Sequence, residues 1–242
     1  MIPDSFNLEN EPTPVKESLA VIPQAGSLDL RLADCMDVMK EFPDKYFDLA
    51  IVDPPYGLLQ LSVEENRNQN SKFRRSMSKM VDSAKKWNGI KPSSEYFAEL
   101  FRVSKNQIVW GANNFTLPES EYFCVWDKQQ TVDNFASAEY AWVSMNWKKP
   151  AKVFRYQIHG AASDDGEKIH PTQKPVALYK WLLKNYATPG QRILDTHLGS
   201  GSHAIACHYA GMHLTACEID ADYFEAAKER IKRETSQLDL FC

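Results

Sequence analysis

Two periodicities of apolar residues divide the chain. From Leu28 to Ala33 apolar and polar positions alternate as along a half-buried strand, and Met36 to Phe42 reads as a short helix that Pro43 stops. Phe47 to Val52 is almost wholly apolar. Bounded by a polar turn and by Pro54-Pro55, it has the pattern of a strand covered on both faces, as in a parallel sheet. Ser93 or Ser94 can cap a helix whose Tyr96, Phe97, Leu100 and Phe101 recur at helical spacing, and a strand over Gln107 to Trp110 follows. Glu121 to Trp126 and Ala138 to Ser144 are β-rich. A basic, proline-interrupted piece carries Lys148, Lys149, Lys152 and Arg155, and Gly160 to Glu167 reads as loop. The last third predicts a helix over Pro175 to Tyr186, a strand over Arg192 to Asp195, a helix over Ser202 to Tyr209, a strand over His213 to Cys217 and a helix over Asp222 to Arg233. Strands alternating with helices call for right-handed βαβ connections, so the fold class is α/β with a mainly parallel sheet.

At 242 residues the chain can bury a full core, and the pattern divides it into an irregular arm over 1–27, which carries Pro3, Pro12, Pro14 and Pro23, one large domain over 28–234, and a tail over 235–242. An apolar content of 43% and a charged content of 25% are those of a soluble globular protein, and no apolar run approaches the roughly 20 residues that span a bilayer. The amino terminus has no basic stretch followed by an apolar one, so a cytoplasmic location is expected. Cys35, Cys124, Cys207, Cys217 and Cys242 lack the paired spacing that holds zinc and are expected as reduced thiols; the six histidines are scattered, and no metal is expected. The net charge of −4 hides an uneven distribution. Residues 57–92 hold eight lysines and arginines against three acidic residues, directly after Asp53-Pro54-Pro55-Tyr56.

Two segments carry candidate chemistry. In Ile193-Leu194-Asp195-Thr196-His197-Leu198-Gly199-Ser200-Gly201-Ser202 an apolar strand enters a glycine-containing turn that opens a helix, and the missing side chains of Gly199 and Gly201 let a ligand approach the backbone near a helix amino terminus. About 20 residues on, the next strand ends in Glu218-Ile219-Asp220, where a carboxylate can accept both hydroxyls of a ribose. Together they imply an adenosine-containing cofactor. In the other segment, Pro54 and Pro55 lack backbone donors and hold the carbonyls around them in a fixed extended path. With the Asp53 carboxylate these acceptors can take both hydrogens of an aromatic amine, drawing its lone pair toward an electrophile, while Tyr56 offers a flat face for a base.

These segments give the chain a resemblance. It resembles the amino-methylating DNA methyltransferases of the permuted, or beta, class, N6-adenine type, in which the catalytic run precedes the cofactor loop. The matching pieces are Ala33-Asp34-Cys35, Ile51 through Gly57, Val109-Trp110-Gly111-Ala112-Asn113-Asn114-Phe115, His170-Pro171-Thr172-Gln173-Lys174-Pro175, Leu194 through Ser202, and Cys217 through Asp220. The resemblance implies a seven-stranded Rossmann-like sheet with inserted recognition segments near 57–92 and 127–168. It implies S-adenosylmethionine against Asp195, Thr196, His197, Gly199, Ser200, Gly201 and Ser202, with its ribose on Glu218 beside Ile219 and Asp220. Asp34, with Cys35 next to it, would approach the cofactor adenine, and Thr172 and Lys174 would lie near the methionine carboxylate or its neighbouring backbone. Thr196-His197 departs from the proline and aromatic residue that many relatives carry there.

The reaction so implied moves a methyl group to an exocyclic base amine, with the base flipped out of the duplex, stacked on Tyr56 and held by Asp53 and the Pro54 carbonyl. Aspartate at the head of the run points to adenine as target. Cytosine at N4 is the alternative, and so is a non-catalytic nucleic-acid-binding relative. Phosphate contacts to double-stranded DNA are expected from Arg67, Lys72, Arg74, Arg75, Lys79, Lys85 and Lys86. The last residues, Gln237-Leu238-Asp239-Leu240-Phe241, resemble the bacterial sliding-clamp binding peptide, whose apolar side chains would enter a pocket on the clamp.

Overall fold

The computed structural model describes residues 26–57, 91–130, 136–144, 150–157 and 168–236. The basic residues Arg67, Lys72, Arg74, Arg75, Lys79, Lys85 and Lys86, most of the amino-terminal arm, the loop read at 160–167, and the carboxyl-terminal peptide Gln237 to Phe241 lie outside the described residues.

Among the described residues eight strands form one sheet. They are β1 (Leu28–Leu32), β2 (Phe47–Val52), β3 (Ser104–Trp110), β4 (Phe123–Asp127), β5 (Ala138–Val143), β6 (Lys152–Arg155), β7 (Arg192–Asp195) and β8 (His213–Glu218). Helices α1 (Cys35–Lys40), α2 (Ser94–Val103), α3 (Val176–Tyr186), α4 (Ser202–Tyr209) and α5 (Ala221–Ser236) connect or flank them. The spatial order is β1-β8-β7-β2-β3-β5-β4-β6, with β5 antiparallel to both its neighbours and every other pairing parallel. The resemblance implied seven strands. The strand not foreseen is β6, in the piece read from its charges and proline. Its residues are alternately half-buried and exposed and among the described residues it pairs only with β4, so backbone bonding defines it rather than an apolar run.

The apolar runs fold as their patterns require. All of β2 except Asp48 is buried, and Ile193, Leu194 and Asp195 of β7 are buried beside it. Tyr96, Phe97, Leu100 and Val103 form the buried stripe of α2, and Leu178, Leu182 and Leu183 that of α3. β3 begins three residues before the apolar run, at Ser104, because the backbone ladder with β2 pairs Phe47 with Ser104 and Leu49 with Asn106 whatever the polarity of those side chains.

One topological feature positions the site. From β7 the chain moves to β8 on one side, whereas from β2 it moves to β3 on the other, so the direction of winding reverses between the adjacent strands β7 and β2. Ligands of open α/β sheets bind at the carboxyl ends of strands where this reversal opens a crevice. The residues that follow β7 and β2 are the glycine loop and Asp53-Pro54-Pro55-Tyr56. Segments distant in sequence thus share one edge.

Candidate active site at the strand switch point

A cavity of about 490 Å³ lies at this edge, lined by Asp53 and Pro55 after β2, by His197 to Ser200, Ser202 and His203 around the start of α4, and by Glu218, Ile219 and Asp220 after β8. Asp34, His170, Thr172, Gln173, Lys174 and Tyr179 complete the wall. Most residues expected at the cofactor therefore come together. Pro54, Tyr56, Cys35, Asp195, Thr196 and Gly201 are not among the lining residues and act from behind it.

The glycine loop is held from several sides. Asp195 is buried; its Oδ1 accepts from the His197 backbone N–H at 3.0 Å, and its Oδ2 lies 2.9 Å from His203 Nδ1. Gly199 and Gly201 both have positive φ, 53° and 75°, which a side chain rarely tolerates. A Cβ on Gly199 would lie in ordinary contact, 3.8 Å from the His170 ring and the His197 carbonyl, whereas one on Gly201 would press on Ile231 at 2.9 Å. Arg230 of α5, almost fully buried, donates to the Ser200 carbonyl at 2.9 Å and to Ser202 Oγ at 2.8 Å, fixing the loop from below. Thr196 serves the loop as well: its hydroxyl is 2.6 Å from Tyr96 Oη and 2.9 Å from His197 Nδ1.

Glu218 does more than the sequence suggested. Its Oε2 accepts from Gly199 N at 3.0 Å, and its Oε1 accepts from Ile219 N and Asp220 N at 2.9 and 3.1 Å. The carboxylate thereby ties the loop after β8 to the loop after β7. Of roughly four acceptor positions on a carboxylate, one remains for a ligand. Asp34 caps α1 through Met36 N at 2.7 Å and faces the same cavity, with half-buried Cys35 behind it. Ile219, 61% exposed, is an apolar surface on the cavity wall.

The Asp53 end differs from expectation at Tyr56. Tyr56 is not an open platform. A Cβ built on Gly111 would lie 2.0 Å from Tyr56 Cε1, so the ring lies directly on the Gly111 backbone. Phe115 meets the ring edge-on at 6.1 Å, and the hydroxyl donates to Asp53 Oδ1 at 2.5 Å. Lys174 lines the cavity, with its Nζ 2.5 Å from Asp53 Oδ2 and 3.0 Å from Glu139 Oε2. Its side chain is 4% exposed. Burial alone would lower the Lys174 pKa, but the two carboxylates hold it well above its ordinary value, so Lys174 is a cation. Burial pushes the Asp53 pKa above the ordinary aspartate value, and Lys174 opposes that push.

Sequence reading missed Glu139, Tyr179, His170 and His203, which bear on the site only through the fold. His203 stacks on Tyr179 with ring centroids 4.7 Å apart and planes 13° apart, and its Nε2 is buried without a hydrogen-bond partner among the described residues. Burial pushes the pKa of His170 and of His197 down to about 4, helped at His170 by the cationic Lys174 and Lys168. Both rings are neutral near pH 7, which gives His197 a role as an uncharged part of the cavity wall rather than a cation. An unfolded chain protonates them near pH 6.5, so their contribution to stability is full above about 6.5 and is lost as pH falls toward about 4. Thermal unfolding should show Tm falling across that window, and His197→Asn should flatten the fall; an unchanged slope in the variant would remove His197 from this linkage.

The sequence profile of the DNA methylase family matches residues 105–229, just over half of the chain. This chain belongs to the DNA methylase family. The matched region of this methylase takes in the glycine loop, Glu218 and Lys174, and begins after Asp53-Pro54-Pro55-Tyr56, which is placed beside it by the fold. The chain is 23% identical over 246 residues to the type II methyltransferase M.HpaI of Haemophilus parainfluenzae, covering 88% of this chain and 77% of that protein. It is 22% identical over 247 residues to the type II methyltransferase M.HinfI of Haemophilus influenzae, covering 82% and 67%. Among solved structures, the M1.HpyAVI–SAM complex matches with a TM-score of 0.50 at 18% identity, covering 84% of this chain and 98% of that one. The PvuII DNA methyltransferase, described as cytosine-N4-specific, matches with a TM-score of 0.55 at 11% identity, covering 88% and 91%. At these identities the structures share the fold. Among the described residues, no helix is long and apolar enough to cross a membrane.

Proposed function

We propose that this DNA methylase uses S-adenosylmethionine to methylate the exocyclic N6 amine of adenine in double-stranded DNA, with the base turned out of the helix. The observation that carries this reading is the adjacency of Asp53 and the glycine loop on the parallel strands β2 and β7, at the reversal of the sheet. The cavity suits the cofactor. Its volume falls within the roughly 300–1,000 Å³ of small-molecule sites, Gly199 lines it without a side chain, and the buried Nε2 of His203 on its wall has no hydrogen-bond partner among the described residues. Bound there, the cofactor supplies a methyl group on a sulfonium, whose departure leaves a neutral thioether.

Asp195, Thr196, Gly199, Ser200, Gly201 and Ser202 shape the loop that receives the cofactor. Glu218 has an acceptor site left for a ribose hydroxyl, and Asp34 stands ready for the adenine end. Asp53, already accepting one hydrogen bond on each oxygen, has about two acceptor sites free for the target amine. Tyr56 and Lys174 orient that carboxylate, and Asp53 is the nearest base as the methylated nitrogen gives up its proton. Because the leaving group is neutral, the protein's task is mainly to place the amine in line and keep water out.

The choice of adenine is tested on the product. Unmethylated duplex DNA of mixed sequence, incubated with the protein and S-adenosylmethionine and digested to nucleosides, should contain N6-methyldeoxyadenosine by mass spectrometry. N4-methyldeoxycytidine instead would move the target to cytosine, and no modified base would remove the reading. We further assign phosphate contacts to Arg67, Lys72, Arg74, Arg75, Lys79, Lys85 and Lys86, and docking on a bacterial sliding clamp to Gln237-Leu238-Asp239-Leu240-Phe241. Fusing that peptide to an unrelated protein should let it retain the clamp, and no retention would sink the assignment.

A further inference from the structure

Behind Asp53 lies a row of alternating charges that continues past Lys174 to two groups the proposed reaction does not use. Lys174 Nζ stands between Asp53 Oδ2, at 2.5 Å, and Glu139 Oε2, at 3.0 Å, and Glu139 Oε1 lies 2.6 Å from Lys128 Nζ. The members come from separate parts of the fold: the end of β2, the segment before α3, β5, and the residue after β4. Lys174 is the most buried member at 4% exposure, between Asp53 at 16% and Glu139 at 22%, with Lys128 at 21% beyond.

The arrangement answers a physical problem. A lone lysine against a buried carboxylate forms a pair whose pull neutralises the oxygen that the target amine needs, and a buried ammonium with one partner is poorly compensated. A second carboxylate on the far side divides that pull and fixes the ammonium between two anchors. Glu139 is well suited to this. Lys174 and Lys128, together with its own burial acting the other way, bring its pKa down to about 2, so it is an anion throughout the working range. Lys128 in turn balances the added negative charge, leaving the four groups neutral together.

We propose that Glu139 is a positioning residue for methyl transfer: from β5 it holds Lys174 against the rear of Asp53, aiming the Asp53 carboxylate at the amine while leaving it a competent acceptor. The proposal rests on the reading of Asp53 as the amine acceptor. Glu139 itself is not among the residues that line the cavity.

Single-turnover transfer of label from tritiated S-adenosylmethionine to unmethylated duplex DNA of mixed sequence, with cofactor affinity measured separately by calorimetry, provides the test. Glu139→Gln is expected to lower the transfer rate about 10- to 100-fold, in the range of losses from misplaced catalytic groups, with the cofactor Kd unchanged. A double-mutant cycle separates positioning from general loosening of the fold. Lys174→Met with Glu139→Gln should transfer no more slowly than Lys174→Met alone. A Glu139→Gln rate near that of the unmodified protein, or losses that multiply in the double variant, would overturn the proposal. Should Glu139→Gln fail to fold, Glu139→Asp keeps the charge and shortens its reach: a slower rate at unchanged Kd supports the role and an unchanged rate refutes it. An active Asp53→Ala protein would break the underlying reading, whereas an inactive Asp53→Ala beside a fully active Glu139→Gln would break only this inference.

Discussion

Asp53→Ala is expected to reduce methyl transfer about a thousandfold, the upper part of the range for removing one group aimed at a reacting centre, while binding S-adenosylmethionine nearly as tightly as the unmodified protein. The division follows from the site's layout. Asp53 belongs to the acceptor end, whereas the glycine loop is held by Glu218, Arg230 and Asp195, none of which bonds to Asp53. Removing the Asp53 carboxylate does not strand the Lys174 ammonium, which keeps Glu139 as a partner. The pH profile gives a second reading of the same residue. The carboxylate must be ionised to accept the amine, and burial raises its pKa, so transfer should fall on acidification at a pH above that of an ordinary aspartate. Asp53→Ala activity near the unmodified level, by single-turnover labelling, would contradict the role assigned to it.

Gly111→Ala is expected to be strongly damaging although Gly111 lies away from the cavity wall. Gly111 has φ 64° and the Tyr56 ring lies where a Cβ would go, 2.0 Å from Cε1 and 2.3 Å from Cζ. The substitution therefore adds backbone strain to a steric conflict with a ring that Phe115 and Asp53 hold in place. Strain of about 1–3 kcal/mol and overpacking of about 1–3 kcal/mol should together lower Tm by roughly 5–15 °C at this chain length. Because relief comes most readily by moving Tyr56, the hydroxyl would leave Asp53 Oδ1 and transfer should fall too. Tyr56→Phe, which removes the hydroxyl and keeps the ring, should lower transfer while sparing Tm. A Gly111→Ala protein with unchanged Tm and activity would mean that Tyr56 does not rest on Gly111 in solution.

The sequence disclosed what is local. A buried parallel strand announces itself in Phe47 to Val52, and a glycine turn between a strand and a helix in Leu194 to Ser202, because backbone geometry and burial impose those residues directly. The Asp53 run stood out for the same reason, as two prolines and a carboxylate in four positions. What escaped depends on closeness in space. Lys174 is 121 residues from Asp53 in sequence, and its second partner Glu139 sits on β5 among residues chosen for pairing in the sheet. No local pattern marks either contact. Tyr56 was read as a free aromatic face because Gly111, which receives it, lies at the end of another strand. β6 went unnoticed because a strand defined by its backbone bonding to β4 needs no apolar run, and the polar start of β3 because its ladder with β2 places it regardless of side chain.

The adjacency of Asp53 and the glycine loop is tested most directly by a crystal structure of the protein with S-adenosylhomocysteine bound. The adenosine should lie against the loop from Asp195 to Ser202 with its ribose at Glu218, and the sulfur should face Asp53 across the junction of β7 and β2. Adenosine elsewhere on the protein, or a sulfur turned away from Asp53, would contradict a single site shared by the two strands.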